Sequence, residues 1–447
     1  MKIRLLAGAA ACAVLLGMSM PVSAATSPEL PGAEIQVSPS AMQAVDAFYA
    51  SRGGAPLWLR GGADSGAARE LMGILVRAPL DGLDNGPELA AQAQALMARA
   101  QTGDPAALAA ADRVLSAAWV SYVQTLQRPP SGMIYADQWV MPRRDSPMQI
   151  LQRAATAASL ASYVRSVSEV NPLYAQLRDA AWAQMQSNGG SLDPRVLTSL
   201  DRARERPFQD KYVMVDAAAA RLYMIEDGRV VDSMKVVVGK AGPHTQTPMM
   251  ASTIYYATLN PYWHVDAELV RSLIAKNVLE QGLGYLKTHG YQVMPADPND
   301  DTLLDPAKVD WHSVADGSLQ VRVRELPGPA NSMGRVKFGF PNAYDIYLHD
   351  TPSKSLFANS VRAYSHGCVR VQNPMDFADA LLKNETNLNA KVLESMYGPS
   401  ERWVNLKTHV PVHITYFTLR VDPDGTIRSF GDIYGRDAQA MQVAALK

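Results

Sequence analysis

Cysteine is nearly absent: there are two in 447 residues, Cys12 and Cys368. Cys12 falls in an apolar leader, so the processed chain would keep Cys368 as its sole thiol. That excludes a disulfide framework, the usual use of cysteine in exported chains. It also makes the leftover thiol a candidate for chemistry, against the plainer reading of a small buried hydrophobe. Basic surplus is absent too, with 42 Lys and Arg against 43 Asp and Glu. A nucleic-acid binder normally shows a basic stripe or tail, so no nucleic-acid partner is expected. Beyond the leader no apolar run is long enough for a membrane span, which needs ~20 residues. No phosphate-cradling glycine loop, no internal repeat and no metal-ligand cluster stands out. His409 and His413 are four apart but lack a third ligand, so no metal is expected. His244, His264, His289 and His312 are assigned no chemistry.

What is present begins with an address. Lys2 and Arg4 precede the apolar run Leu5 to Met18, and Val22-Ser23-Ala24 offers small residues for cleavage. Residues 1–24 read as a secretory signal peptide and 25–37 as a polar linker. From Ser38 the pattern is helical. Ser38-Pro39 and Asp104-Pro105 each pair a capping side chain with a first-turn proline. Leu108, Ala111, Leu115, Trp119, Tyr122 and Leu126 share one face at helical spacing. Ser187 to Ser191 breaks this pattern. After Lys211 the period changes to two, with strands at Tyr212–Asp216, Arg221–Ile225 and Arg229–Gly239, then again from Val412 to Val421 and from Thr426. Residues 265–325 interrupt the strands with a helical stretch and Gly, Pro and Asp-rich text, as an inserted cap would. The expected fold class is multidomain α+β: an all-helical domain (38–206), then a mainly β domain (207–437) carrying the insertion, and a tail at 438–447.

The chemistry concentrates in Tyr347-Leu348-His349-Asp350 and Ser365-His366-Gly367-Cys368-Val369-Arg370. A thiolate can attack an amide carbonyl, and a nearby imidazole can generate the thiolate and shuttle the proton. Two histidines compete for that task. His366 is two residues before Cys368 and would share its face in an extended segment; His349 is 19 positions before it and would need a neighbouring strand. The residues alone do not choose. Gly367 permits a tight turn in which the Gly367 and Cys368 amides point at an oxyanion. Arg370 suits a substrate carboxylate. Tyr262 and Trp263, at the insertion's root, suit either a substrate groove or ordinary packing.

Ser-His-Gly-Cys-Val-Arg with an upstream His-Asp resembles the signature of the YkuD-type L,D-transpeptidases. Val237-Val238-Gly239-Lys240 with Thr247-Pro248, Asn260-Pro261-Tyr262-Trp263, and Pro327 to Phe338 resemble the large Gram-negative branch, which has a helical scaffold and a capping insertion. The resemblance spans most of the chain and is strongest from 210 to 435. It implies a YkuD-like catalytic domain with Cys368 as nucleophile and His349 as base, leaving His366 a shaping role beside the substrate. It places the oxyanion hole at Gly367-Cys368 with Tyr347, gives Asp350 or a nearby carbonyl the task of orienting His349, and gives Arg370 a hold on the peptide. It implies no cofactor and a periplasmic location. The partners it implies are peptidoglycan stem peptides as donor and acceptor, with carbapenem-type inhibitors. The small peptidoglycan-binding module usual in that branch has no room between Met185 and Arg206.

The leading expectation is therefore cross-linking of stems through a cysteine acyl-enzyme, as 3→3 diaminopimelate links. Alternatives are 1→3 links from L-alanine, a hydrolytic L,D-carboxypeptidase or amidase on the same fold, and a non-catalytic cell-wall binding module.

Overall fold

The computed structural model describes residues 38–445 apart from 64, 103 and 383–389. The expected signal peptide and linker lie outside the described residues. Among the described residues no helix is long and apolar enough to cross a membrane.

The helical part comprises α1 (Pro39–Ser51), α2 (Gly66–Arg77), α3 (Gly86–Gln101), α4 (Pro105–Leu126), α5 (Pro147–Thr156), α6 (Leu160–Glu169), α7 (Pro172–Ser187) and α8 (Arg195–Ala203). The two cap signals hold: Ser38 accepts from the Ala41 amide, and Asp104 from the Ala106 and Ala107 amides. Each side chain satisfies helix-end donors that otherwise lack partners. Ala111, Leu115, Trp119, Tyr122 and Leu126 of the α4 stripe are buried, with Trp119 stacked on Tyr122 and crossed by Trp58. Buried Asp112 accepts the amides of Leu57, Trp58 and Leu59, which pins the loop after α1 to α4.

This part is not purely helical. Pro129 and Pro130 end α4, since proline cannot continue a helix. The extended chain beyond them contributes strand β1 (Ile134–Tyr135), paired parallel to a strand of the main sheet.

The β part opens with β2 (Lys211–Asp216), β3 (Arg221–Glu226), β4 (Arg229–Gly239) and β5 (Met250–Leu259). After the inserted segment come β9 (Val336–Gly339), β10 (Leu348–His349), β11 (Ala363–Ser365), β12 (Val369–Val371) and β13 (Arg402–Thr415). Their order is β1-β5-β13-β2-β3-β4-β12-β10-β9, and pairing of β5 with β9 closes the sheet on itself. β2 and β3 are buried on both faces. Val213, Val215, Leu222 and Met224 point into the sheet's interior core with Phe338, Leu348, Val369 and Phe377. Tyr212, Met214, Tyr223 and Ile225 point the other way, onto Leu173, Tyr174 and Leu177 of α7 and Leu200 of α8. That two-sided burial explains why these strands read as unbroken apolar runs. Each such side chain, fully buried, contributes about 1.5–3 kcal/mol, so this shared core ties helices to sheet.

The insertion is a small layer of its own. Strands β6 (Trp263–Val265), β7 (Tyr291–Pro295) and β8 (Val321–Glu325) form a three-stranded sheet in the order β6-β8-β7. Val265, Val270, Ile274, Val293, Trp311 and Val323 form its core. At the far end, Arg436–Ala445 is helical, and its Asp437 makes a buried ion pair with Arg202 of α8.

Candidate active site

Sheet register assembles the site. β10 and β12 are parallel, with Leu348 opposite Val369 and His349 opposite Arg370. The Val369 amide donates to the Tyr347 carbonyl, extending the pairing back by one residue. Side chains alternate faces along a strand. Leu348 and Val369 therefore enter the core, while Tyr347, His349, Cys368 and Arg370 share the opposite face. The Tyr347 and His349 rings stand edge to face at 5.5 Å. On the neighbouring strand, Lys337 is opposite His349, and its ammonium lies 4.0 Å from the centre of the Tyr347 ring.

The turn that leads into Cys368 is held by hydrogen bonds. Gly367 has φ +123°, and a Cβ there would meet Ile346 Cδ1 at 2.8 Å. Ser365 Oγ donates to the Cys368 carbonyl at 2.6 Å and accepts the Gly367 amide at 3.1 Å. Thr247 Oγ1 donates to the Gly367 carbonyl at 2.7 Å and accepts the Gly239 amide at 2.8 Å. The Tyr434 hydroxyl closes the network on the Gly239 carbonyl. The Cys368 thiol donates to the Asp345 carbonyl at 3.4 Å. Asp345, at φ +51°, lies in a loop tied by the Asn342 side chain to Phe340, Tyr344 and Ile346.

Burial dominates the electrostatics. It drives the His349 ring down to about 3, assisted by Arg370 and Lys337 and opposed by the carbonyls of Asp350 and Met333. It pushes the Cys368 thiol up, against the Tyr347 amide and hydroxyl and the two cations, all of which favour thiolate. Both shifts favour the neutral thiol and the neutral imidazole. Burial likewise lowers His366, whose Nε2 lies 3.3 Å from Lys240 Nζ.

A cleft of about 680 Å³ opens over Cys368. Lys240, Lys337 and His366 face it, as do Asp266, Glu268 and Asp345; Tyr262 and Trp263 line it from the insertion's root. His244 and His264 line it too, although the sequence assigns them nothing. His409 and His413 separate: the first packs on Tyr255, the second bonds buried Glu205 at 2.8 Å. Among the described residues no three His, Cys, Asp or Glu side chains gather as a metal site.

Three expectations need correction. The Asp350 carboxylate does not orient His349. Adjacent strand residues point to opposite faces, so it turns away, accepts from the Arg335 and Thr351 amides and Lys354, and packs over Gly334, where no Cβ would fit. The Gly367 amide does not face an oxyanion, being bonded to Ser365. Arg370 does not reach the cleft wall. Its register sets it beside His349, two residues beyond Cys368, with Nε buried and unpartnered, and it is not among the residues lining the cleft. Sequence reasoning missed Lys240, Lys337, Asp345, Thr247 as an anchor, and Ser365. Lys337 had one signal: a lone charge between the core residues Val336 and Phe338.

The closed sheet with its inserted three-stranded layer, behind a helical part, defines a class of fold, and comparison names it. A profile of the L,D-transpeptidase catalytic domain (YkuD) matches residues 210–412, and one of a scaffold domain matches 43–180. The chain carries a YkuD-type L,D-transpeptidase catalytic domain behind a scaffold domain. A Haemophilus influenzae protein with a provisional L,D-transpeptidase name is 29% identical, covering 88% of this chain and 78% of its own length. Among solved structures, an L,D-transpeptidase from Mycobacterium smegmatis is 15% identical, covering 46% of this chain and 58% of that one, with a TM-score of 0.22. The E. faecium catalytic domain acylated by ertapenem is 12% identical, covering 46% and 98%, with a TM-score of 0.22. The chain spans about half the length of some solved relatives, 51% in one case.

Proposed function

We propose that this protein is an L,D-transpeptidase that joins peptidoglycan stems through an acyl-enzyme on Cys368. The observation that supports this reading is the register, in which Cys368 and His349 fall on one sheet face, with Cys368 lining a cleft and His349 buried. Cys368 Sγ attacks an amide carbonyl of a donor tetrapeptide, and His349 takes the thiol proton. The tetrahedral intermediate breaks its C–N bond, and His349 returns that proton to the leaving amine. The amine of a second stem then attacks the thioester, losing a proton to His349, and the C–S bond breaks to restore the thiol. Lys337 and Arg370 favour the thiolate as it forms. The Cys368 amide, with the Tyr347 hydroxyl, serves the oxyanion in place of Gly367. Lys240 and Lys337 suit stem carboxylates, and Asp266 and Glu268 suit an incoming amine.

In this reading residues 38–206 are the scaffold and 207–437 the catalytic domain, with 265–325 as a cap that keeps water from the thioester. The leader directs the chain to the periplasm, and the bond made is the 3→3 diaminopimelate link. The test is incubation with purified muropeptides and mass spectrometry of the products. The reading expects cross-linked dimers with 3→3 fragmentation. Shortened monomers alone would overturn transfer in favour of hydrolysis, and 1→3 dimers would overturn the linkage.

A further inference from the structure

A second cavity, of about 270 Å³, shares no residue with the Cys368 cleft. It lies where the end of α4 and the segment after it meet the chain leaving α8. Five arginines line it: Arg128, Arg143, Arg153, Arg204 and Arg206. Among the described residues two carboxylates line the cavity with them, and both are engaged; a third, Asp201, pairs with Arg204 from outside the lining. Asp145 accepts from Arg153 at 2.9 Å and from Gln127 at 2.8 Å. Glu205 accepts from the Tyr135 hydroxyl and from His413, each at 2.8 Å. Arg204 is 8% exposed; two of its nitrogens bond the Asp81 carbonyl and the Asp201 carboxylate, while its Nε has no partner. Arg206 Nη1 is also buried without a partner. Arg128 and Arg143 stand exposed at the rim, the latter over the half-exposed Phe208 ring at 4.7 Å.

A guanidinium taken out of water normally comes with a counter-ion or a full set of acceptors, because its lost hydration must be replaced. Here positive charge exceeds what the protein's own acceptors satisfy, and the arginines that carry the surplus line one cavity. Guanidinium forks match the planar or tetrahedral oxygens of carboxylate and phosphate. The volume falls below that of pockets that enclose a drug-sized ligand, so it suits an end group. We propose that this arginine pocket is a second binding site, for a terminal oxyanion. Its source is either the carboxylate of a peptide stem or free phosphate. The site works without Cys368 chemistry, so its failure and that of the proposed activity are separable.

Calorimetric titration of the full chain carrying Cys368→Ala tests it with three probes: inorganic phosphate, a disaccharide tetrapeptide, and the same muropeptide with its carboxylates amidated. The expected result is binding of at least one oxyanion probe, weakened tenfold or more by Arg206→Gln and by the paired rim change Arg128→Ala/Arg143→Ala. Carbapenem acylation in rim variants that keep Cys368 stays unchanged. Phosphate binding alone assigns free phosphate as the source, and muropeptide binding lost on amidation assigns the stem carboxylate. If neither oxyanion probe binds, or if binding survives in the rim variant, the proposal is overturned. Because Arg128 and Arg143 are exposed, their variant decides the matter even if Arg206→Gln fails to fold.

Discussion

Thr247 Oγ1 donates to the carbonyl of Gly367 at 2.7 Å while accepting the amide of Gly239, so one hydroxyl ties the turn leading into Cys368 to the end of β4. Both partners are buried, and removing the hydroxyl leaves each without it. Thr247→Val should cost about 1–3 kcal/mol in urea unfolding and slow carbapenem acylation at least tenfold. Thr247→Ser should recover most of both. Equal loss in the two variants would mean that the methyl group, not the hydroxyl, matters.

The two histidines should separate by function. His349 shares the sheet face of Cys368, whereas His366 lies across the Gly367 turn beside Lys240. His349→Ala should lower steady-state transfer by roughly 10²–10⁴-fold, as loss of a general base does. His366→Ala should cost less than tenfold and act mainly on KM. The reverse ranking would reassign the base.

The thiol should resist ionisation in the free enzyme. Its value lies above the ordinary thiol range near 9, so thiolate accumulates only as pH climbs past that value. His349, near 3, stays neutral as pH falls through 6.5 and supplies no imidazolium. The rate of Cys368 alkylation by iodoacetamide should rise with pH through 9 without levelling. A plateau below pH 7 would reveal a preformed thiolate–imidazolium pair.

Asp216 makes a separate prediction about stability. Its carboxylate accepts the Ala218 and Phe417 amides on Oδ1, while Oδ2 is buried without a partner. Burial raises it from 3.8 to about 7. The folded state therefore holds this proton more tightly than the unfolded state does. Stability from this group is full below about pH 4, falls as pH rises to about 7, and is level above. Asp216→Asn removes that dependence. Its unfolding free energy should gain on the wild type by on the order of 2–3 kcal/mol between pH 5 and pH 8. A constant difference across that range would contradict the assignment.

Much of this was legible in the sequence. Ser38-Pro39 and Asp104-Pro105 marked helix starts because capping and proline geometry are local. β2 and β3 were legible as short apolar, β-prone runs, although burial on both faces leaves them no alternation of polar and apolar positions. Local pattern failed where pairing is long-range. β10 is two residues long and owes its place to β9 and β12. The strands of the insertion were hidden because their pairing spans an intervening helix and loops. At the site, Cys368 stood out by its chemistry, while spacing left His349 and His366 tied and only the family resemblance favoured His349 and gave Tyr347 a role. The misassigned roles of Asp350 and Gly367 have local causes: proximity in sequence does not say which way an alternating chain points, or which neighbour has already taken an amide; Arg370 keeps the face of Cys368 but is not among the residues lining the cleft.

The central claim, that Cys368 carries the acyl group, is tested most directly by the intact mass of the protein after exposure to a carbapenem. The account predicts one adduct of the inhibitor's full mass on the wild-type chain, located to the peptide containing Cys368, and none on Cys368→Ala. An adduct of the same mass on Cys368→Ala, or muropeptide transfer persisting in that variant, would contradict it.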